Sequence, residues 1–181
     1  VSDVRIQPFD LAPQWMPQAW EVSITADGKT LSMDSAQPNY SSVPTPAHGL
    51  DVEAVYVGLG SEADYVGKDV RGKAVFIFVQ MGIQIGQDWT ALAKLADDKG
   101  AAAIFEVDML PGNMRYQGYP SNTKAPAFTV GSGDGFALRD LGSTRMTSSL
   151  FSTRCSMGSR WPSVVCGVSE SVSTIVVWTC G

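Results

Sequence analysis

Residues 73–107 constrain the fold more than any other stretch of the chain. Residues 73–79 (KAVFIFV) and 101–107 (AAAIFEV) are short apolar runs led by β-branched and aromatic side chains. Between them Trp89, Leu92, Ala93, Leu95 and Ala96 recur at helical spacing, and Gly100 stands where a left-handed C-cap is wanted. Strand, helix and strand in that order predict a right-handed crossover joining two parallel strands, with the apolar face of the helix laid on the sheet. This unit is the expected core.

The flanking segments supply further elements. Residues 1–20, punctuated by Pro8, Pro13 and Pro17 and carrying Phe9, Trp15 and Trp20, read as an extended arm. Residues 20–25 alternate, and after Asp27-Gly28 so do residues 30–33, which predicts a β-hairpin with Trp20, Val22, Ile24, Leu31 and Met33 as its apolar set. Residues 35–48, rich in Pro and Ser, are expected to be an extended loop, and residues 50–57 an edge strand entering the core. Ser61 is placed to cap one helical turn over residues 61–66. Residues 126–130 read as a strand. Residues 131–135 (GSGDG) read as a turn into a short helix over 136–141, with Phe136, Leu138 and Leu141 as candidates for burial.

Two loops leave the expected sheet where open α/β folds usually bind things, at the carboxyl ends of parallel strands. One carries Met81, Ile83 and Ile85, an apolar lip or interdomain contact, with Asp88 placed to cap the following helix. The other, residues 108–125, carries Tyr116 and Tyr119, whose amphipathic rings suit contact with a peptide or a sugar.

Charge and composition remove several function classes. A formal net charge of −5 and a pI of about 4.7 leave no basic stripe to exchange for phosphate counterions, so a nucleic-acid partner is not expected. No apolar run approaches the ~20 residues that span a bilayer. Nothing after Val1 has the basic and apolar pattern of a signal peptide, so any export signal is expected to have been removed or to lie outside this sequence. His48 is the only histidine, which excludes a histidine-rich metal site. Cys155, Cys166 and Cys180 lack the close spacing of a zinc knuckle, and no metal site is expected in this chain.

Catalytic chemistry has one candidate. Ser132, flanked by glycines after a strand and before a helix, loosely resembles a nucleophile elbow, and Ser132, His48 and Asp134 could be imagined as the triad of a small esterase-like serine hydrolase. The stronger reading has the glycines making a turn, with Ser132 or Asp134 capping the helix. Glu106 and Asp108 sit at a strand exit, and with Asp51, Glu53 and Asp64 offer oxygen ligands. No loop has calcium-ligand spacing, so these carboxylates read as solvated.

Three of these segments together, residues 70–77 (VRGKAVFI), 91–105 (ALAKLADDKGAAAIF) and 126–138 (PAFTVGSGDGFAL), resemble the protease-associated (PA) domain, in the version inserted in secreted M28-type zinc aminopeptidases. The resemblance covers about residues 48–142, with residues 1–47 as an arm and hairpin leading in. It implies an α/β fold with a partly closed mixed sheet, flanking short helices and a preceding β-hairpin. It also implies a secreted or periplasmic setting, and a non-catalytic role as a substrate-access or protein-interaction part beside a peptidase catalytic domain. The implied partners are that domain and peptide or protein substrates. In such peptidases two zincs are held by histidines and carboxylates of the catalytic domain, so zinc would belong to a domain missing from this chain and no cofactor is expected here.

Residues 143–181 depart from that pattern. They hold ten serines, all three cysteines, three basic side chains and one acidic one, against ten basic and seventeen acidic in residues 1–142. A shifted reading frame or a truncated junction is the expected origin of such a tail. Residues 163–165 and 173–178 are its strand-like pieces, and exchange of the tail between chains would make a homo-oligomer.

Overall fold

The computed structural model describes residues 5–6, 8, 15–26, 28–79, 89–116, 121–143 and 175–179. The predicted crossover forms as expected. β6 (Ala74–Val79), α1 (Trp89–Asp98) and β7 (Ala103–Asp108) follow one another, and the two strands pair in parallel from Ala74↔Ala103 to Val79↔Asp108. Gly100 adopts φ 86°, a left-handed geometry that other residues avoid, and its N–H closes the helix end on the Asp97 carbonyl at 2.9 Å.

Three more strands complete a five-stranded sheet in the order β3-β8-β7-β6-β5. β8 (Ala127–Gly131) and β5 (Ala54–Tyr56) extend the parallel set on either side, and β3 (Gln37–Pro38) adds an antiparallel edge. Both faces are covered, which is why all six residues of β6 are buried and its sequence is apolar without alternation. On one face lie Ala93 and Ala96 of α1, with Tyr65 of a 3-10 turn (Glu62–Tyr65), over Val75, Ile77 and Ile104. On the other face a smaller sheet packs through Val22, Ile24 and Met33.

That smaller sheet has the order β2-β1-β9-β4. The predicted hairpin is β1 (Trp20–Ala26) with β2 (Lys29–Ser32), turning through Gly28 at φ 72°. β9 (Ile175–Thr179) lies antiparallel to both β1 and β4 (Asp51–Val52). Of the two strand-like pieces in residues 143–181, this is the second; residues 163–165 lie outside the described residues.

The central ornament of the shared core is a ring ladder. Phe76, Phe105 and Phe128 occupy matching register positions on three adjacent parallel strands. Their rings stack at 4.6 Å and 9° and then at 5.1 Å and 14°. Offset stacking of buried rings adds to the area they remove from water.

Local expectations are corrected in three places. Residues 50–57 do not form one strand: the chain changes sheets at Glu53, whose carbonyl accepts the Ala74 N–H at 2.8 Å and whose carboxylate pairs with Lys73 at 3.0 Å. The loop over residues 35–48 contains β3, because Pro38 sits on an edge strand, where a missing N–H is tolerated. The glycines of residues 131–135 make no turn; β8 runs directly into α2 (Ser132–Ser143). Phe136 and Leu138 pack on the shared core as predicted, while the Leu141 side chain lies outside what is described. Among the described residues no helix is long and apolar enough to cross a membrane.

Candidate functional site

The register Val79↔Asp108↔Gly131 lines up the carboxyl ends of three parallel strands. From these ends the chain passes to residues 80–88, to the loop after Asp108, and to α2. Met81, Ile83, Ile85 and Tyr119, expected to bind, lie outside the described residues. Tyr116 is described and is half exposed, as are Met109 and Met114 of the same loop and Tyr40 on the neighbouring segment. Ser121 N–H donates to the Tyr40 carbonyl at 2.7 Å, and Trp15 meets the Tyr40 ring edge-on at 5.7 Å. Tyr116, Met109 and Met114 thus share the loop that leaves the carboxyl end of β7, whereas Tyr40 lies toward the opposite end of the sheet, past Asn39, whose N–H donates to the Ala127 carbonyl at the start of β8.

A polar cluster lies across β7, β8 and the residue that follows β3. Glu106 and Asp108, two apart on β7, face the same side of the sheet. The Asn39 side-chain amide donates to Glu106 at 2.7 Å and its carbonyl accepts from the Thr129 hydroxyl at 2.6 Å. Asp108 is buried and accepts the backbone N–H of Tyr116, which ties down the start of the loop. Burial pushes the Glu106 carboxyl up to about 7, against the opposing effect of the Asn39 hydrogen bond and with a smaller push from Asp108. Burial likewise lifts Asp108 to about 6, opposed by the Tyr116 N–H. For Glu106 and Asp108 the expectation of simple solvation is corrected: they are acceptors for the Asn39 amide and the Tyr116 N–H, and burial holds both carboxyls above their ordinary values. A glutamate in the middle of an otherwise apolar parallel strand was the available signal; nothing local marks Asn39 as its partner.

A second cluster fixes the start of α2. The Ser132 hydroxyl donates to the carbonyls of Leu110 and Gly112. Asp134 accepts from the Ser35 N–H and hydroxyl at 2.9 and 2.6 Å and from the Asn113 amide at 3.0 Å. Asn113 returns a bond by accepting the Asp134 N–H at 3.0 Å, and Arg115 donates to the Ser35 carbonyl at 2.7 Å. The glycine spacing now has a packing reason. A Cβ on Gly131 would meet the Asn113 carbonyl oxygen at 2.5 Å, one on Gly133 the Asn113 side chain at 3.0 Å, and one on Gly135 would collide with Val107.

These bonds bear directly on the imagined triad. His48 is exposed, and no hydrogen bond joins it to Ser132 or Asp134. The Ser132 proton points at carbonyl oxygens, and Asp134 faces a serine and an asparagine rather than an imidazole. A nucleophile needs a base on its hydroxyl, and this arrangement supplies none. Among the described residues no group of three or more His, Cys, Asp or Glu side chains is placed to hold a metal ion.

No protein-family model matches the chain, and no curated protein matches it in sequence. Solved structures do resemble it. An aminopeptidase from Aneurinibacillus sp. strain AM-1 aligns over 91% of this chain and 32% of its own, at TM-score 0.56 and 20% identity. The peptidase M28 precursor from Shewanella amazonensis SB2B aligns over 94% and 37%, at TM-score 0.57 and 16% identity. A zinc aminopeptidase from Bacillus subtilis aligns over 68% and 29%, at TM-score 0.52 and 23% identity. The likeness is one of fold, and the chain spans about a third of the length of these peptidases.

Proposed function

We propose that this chain is a non-catalytic, protease-associated module that sits beside an M28-type peptidase catalytic domain and governs how peptide or protein substrates reach it. The observation that carries the reading is the extent of the fold likeness. In two of the three likenesses more than nine-tenths of the chain superposes on about a third of the peptidase, and in the third 68% of the chain on 29%, as an inserted or appended module would. In this reading zinc and its histidines and carboxylates belong to the catalytic domain, and the setting is extracytoplasmic. The loop carrying Tyr116, Met109 and Met114, at the carboxyl end of β7, is the substrate-facing surface, joined by Tyr119, Met81, Ile83 and Ile85. Exposed aromatic and thioether side chains give contact area without demanding one partner sequence.

The test has two parts. The purified chain, assayed with added zinc on an aminoacyl nitroanilide and on a nitrophenyl ester, is expected to be silent. Turnover lost in both Ser132→Ala and His48→Ala would overturn the reading in favour of the serine hydrolase. Fused ahead of an M28 catalytic domain, the chain is expected to change KM for long peptides while leaving a single-residue nitroanilide unchanged. Equal effects on both substrates would refute an access role.

A further inference from the structure

The smaller sheet is held together by β9. β1 and β4 do not pair with each other. Trp20, Glu21 and Val22 pair with Thr179, Trp178 and Val177, while Asp51 and Val52 pair with Val176 and Ile175. β4, two residues long, cannot replace that middle strand. Val22, 2% exposed, and Ile24, 1% exposed, place β1 in the core shared with the larger sheet, so the flank that β9 covers belongs to a fixed strand. Without β9 that flank is a row of unpaired backbone donors and acceptors, a template for another strand.

The slot selects its occupant by backbone geometry. It takes an extended segment antiparallel to both neighbours, its first two residues paired with β4 and its last three with β1, so that a proline in the ladder would remove a donor. The sequence of β9, IVVWT, meets this requirement: four of its five residues are β-branched, the fifth is aromatic and none is charged. Nothing in the pairing requires the strand to come from the same chain. α2 ends at Ser143 and β9 begins at Ile175, which leaves 31 residues between them. That length of chain can extend to ~100 Å, beyond the ~40 Å width expected of a domain this size.

We propose that the gap between β1 and β4 is a strand-acceptor site and that β9 of a second copy of this chain fills it, giving a reciprocal, strand-exchanged dimer when the chain is concentrated. Exchange preserves every β9 pairing, so monomer and dimer differ mainly in the entropy of closing a long connection. A tether of this length gives an effective concentration of roughly millimolar or less, which a concentrated refolding mixture can rival. The proposal is independent of any link to peptidases.

The experiment uses the full chain with Cys155→Ser, Cys166→Ser and Cys180→Ser, carrying Glu21→Cys and Trp178→Cys at paired register positions. It is refolded at ~10 μM and at ~1 mM, on either side of the effective concentration expected for the tether, then oxidised and weighed without reductant. The expected result is an intrachain link at the lower concentration and a 21–178 link between chains that becomes a major species at the higher. Intrachain links alone at both concentrations would overturn the proposal, as would dimers without the 21–178 link or no link of either kind. The unsubstituted chain, weighed by native mass spectrometry, controls for loss of folding. Its dimer fraction is expected to rise with refolding concentration and to vanish in Val177→Pro, and a fraction indifferent to both would also refute exchange.

Discussion

Asp134 accepts hydrogen bonds from both the backbone N–H and the hydroxyl of Ser35, 99 positions earlier in the chain, at 2.9 and 2.6 Å. The same Ser35 hydroxyl accepts the Gly131 N–H at 2.8 Å, so one serine and one carboxylate tie the end of β8, the start of α2 and the segment before β3 together. Charge-assisted bonds of this kind are the stronger ones, and stranding a partly buried carboxylate partner costs more than the bond itself contributes. Asp134→Ala is expected to lower unfolding free energy by about 2–3 kcal/mol in urea titration. Asp134→Asn, which keeps one acceptor, is expected to lose less; equal losses would mean that the bonds to Ser35 contribute little.

Gly135 tests the packing account of the glycine spacing. A methyl group there has no space against Val107, which is itself fully buried between sheet and helix. Gly135→Ala is expected to destabilise by about 1–3 kcal/mol through overpacking, despite alanine's higher helix propensity. A second substitution, Val107→Ala, removes the obstructing methyls and is expected to recover part of the loss in a double-mutant cycle. Additive losses would rule out the contact.

The ring ladder makes a sharper demand on its middle member. Phe105 stacks on Phe76 on one side and Phe128 on the other and is fully buried. Phe105→Ala is expected to cost about 3–5 kcal/mol, and Phe105→Leu clearly less, because most of the volume is kept. Thermal and chemical denaturation of the two variants checks the order.

How much of this was legible in the sequence follows from the range of the interactions. The crossover, the hairpin and the cap at Ser61 are written in neighbouring residues: apolar periods, an Asp-Gly turn, and a serine three positions before Asp64, whose carboxylate accepts the Ser61 N–H at 2.9 Å. The switch of sheets at Glu53 is not, because an alternating strand looks the same whichever neighbour it pairs with. The glycines of residues 131–135 read as a turn because glycine permits turns; here they admit Asn113 and Val107, which come from elsewhere in the chain. Glu106 and Asp108 were visible as acids at a strand exit. Their burial depends on Asn39 and on the Tyr116 backbone, partners that no local pattern announces.

Those two carboxylates set a pH dependence of definite sign. Burial raises Glu106 to about 7 and Asp108 to about 6, above their ordinary values of 4.5 and 3.8. Between those limits the folded chain binds more protons than the unfolded one, so their contribution favours folding at low pH and is lost as pH rises through 6 and 7. Stability is therefore expected to increase as pH falls from about 8 toward 5, by an amount on the order of a few kcal/mol if these groups dominate. Glu106→Gln and Asp108→Asn keep an acceptor for the Asn39 amide and the Tyr116 N–H while removing the charge. Both are expected to flatten the profile, and an unchanged slope in the double variant would assign the dependence to other groups.

Asp97 and Asp98 stand side by side at the end of α1, where the helix dipole disfavours negative charge, yet the structure gives them unequal work. Asp97 accepts the backbone N–H groups of Lys124 and Ala125 at 2.9–3.1 Å, anchoring the approach to β8. Among the described residues Asp98 meets only Lys94, one turn back, in an exposed pair at 3.0 Å. Asp97→Ala leaves two backbone donors without their acceptor and is expected to cost about 1–2 kcal/mol. Asp98→Ala removes an exposed i,i+4 pair, which contributes about 0.3–0.5 kcal/mol, and also relieves an unfavourable charge at the helix end, so its net effect is expected near zero. Raising the salt concentration should shrink the small Asp98 effect and leave most of the Asp97 loss in place, because the latter comes from unmet hydrogen bonds rather than screened charge. Equal losses at the two positions in urea titration would mean that residues 124–125 are held by something other than the Asp97 carboxylate.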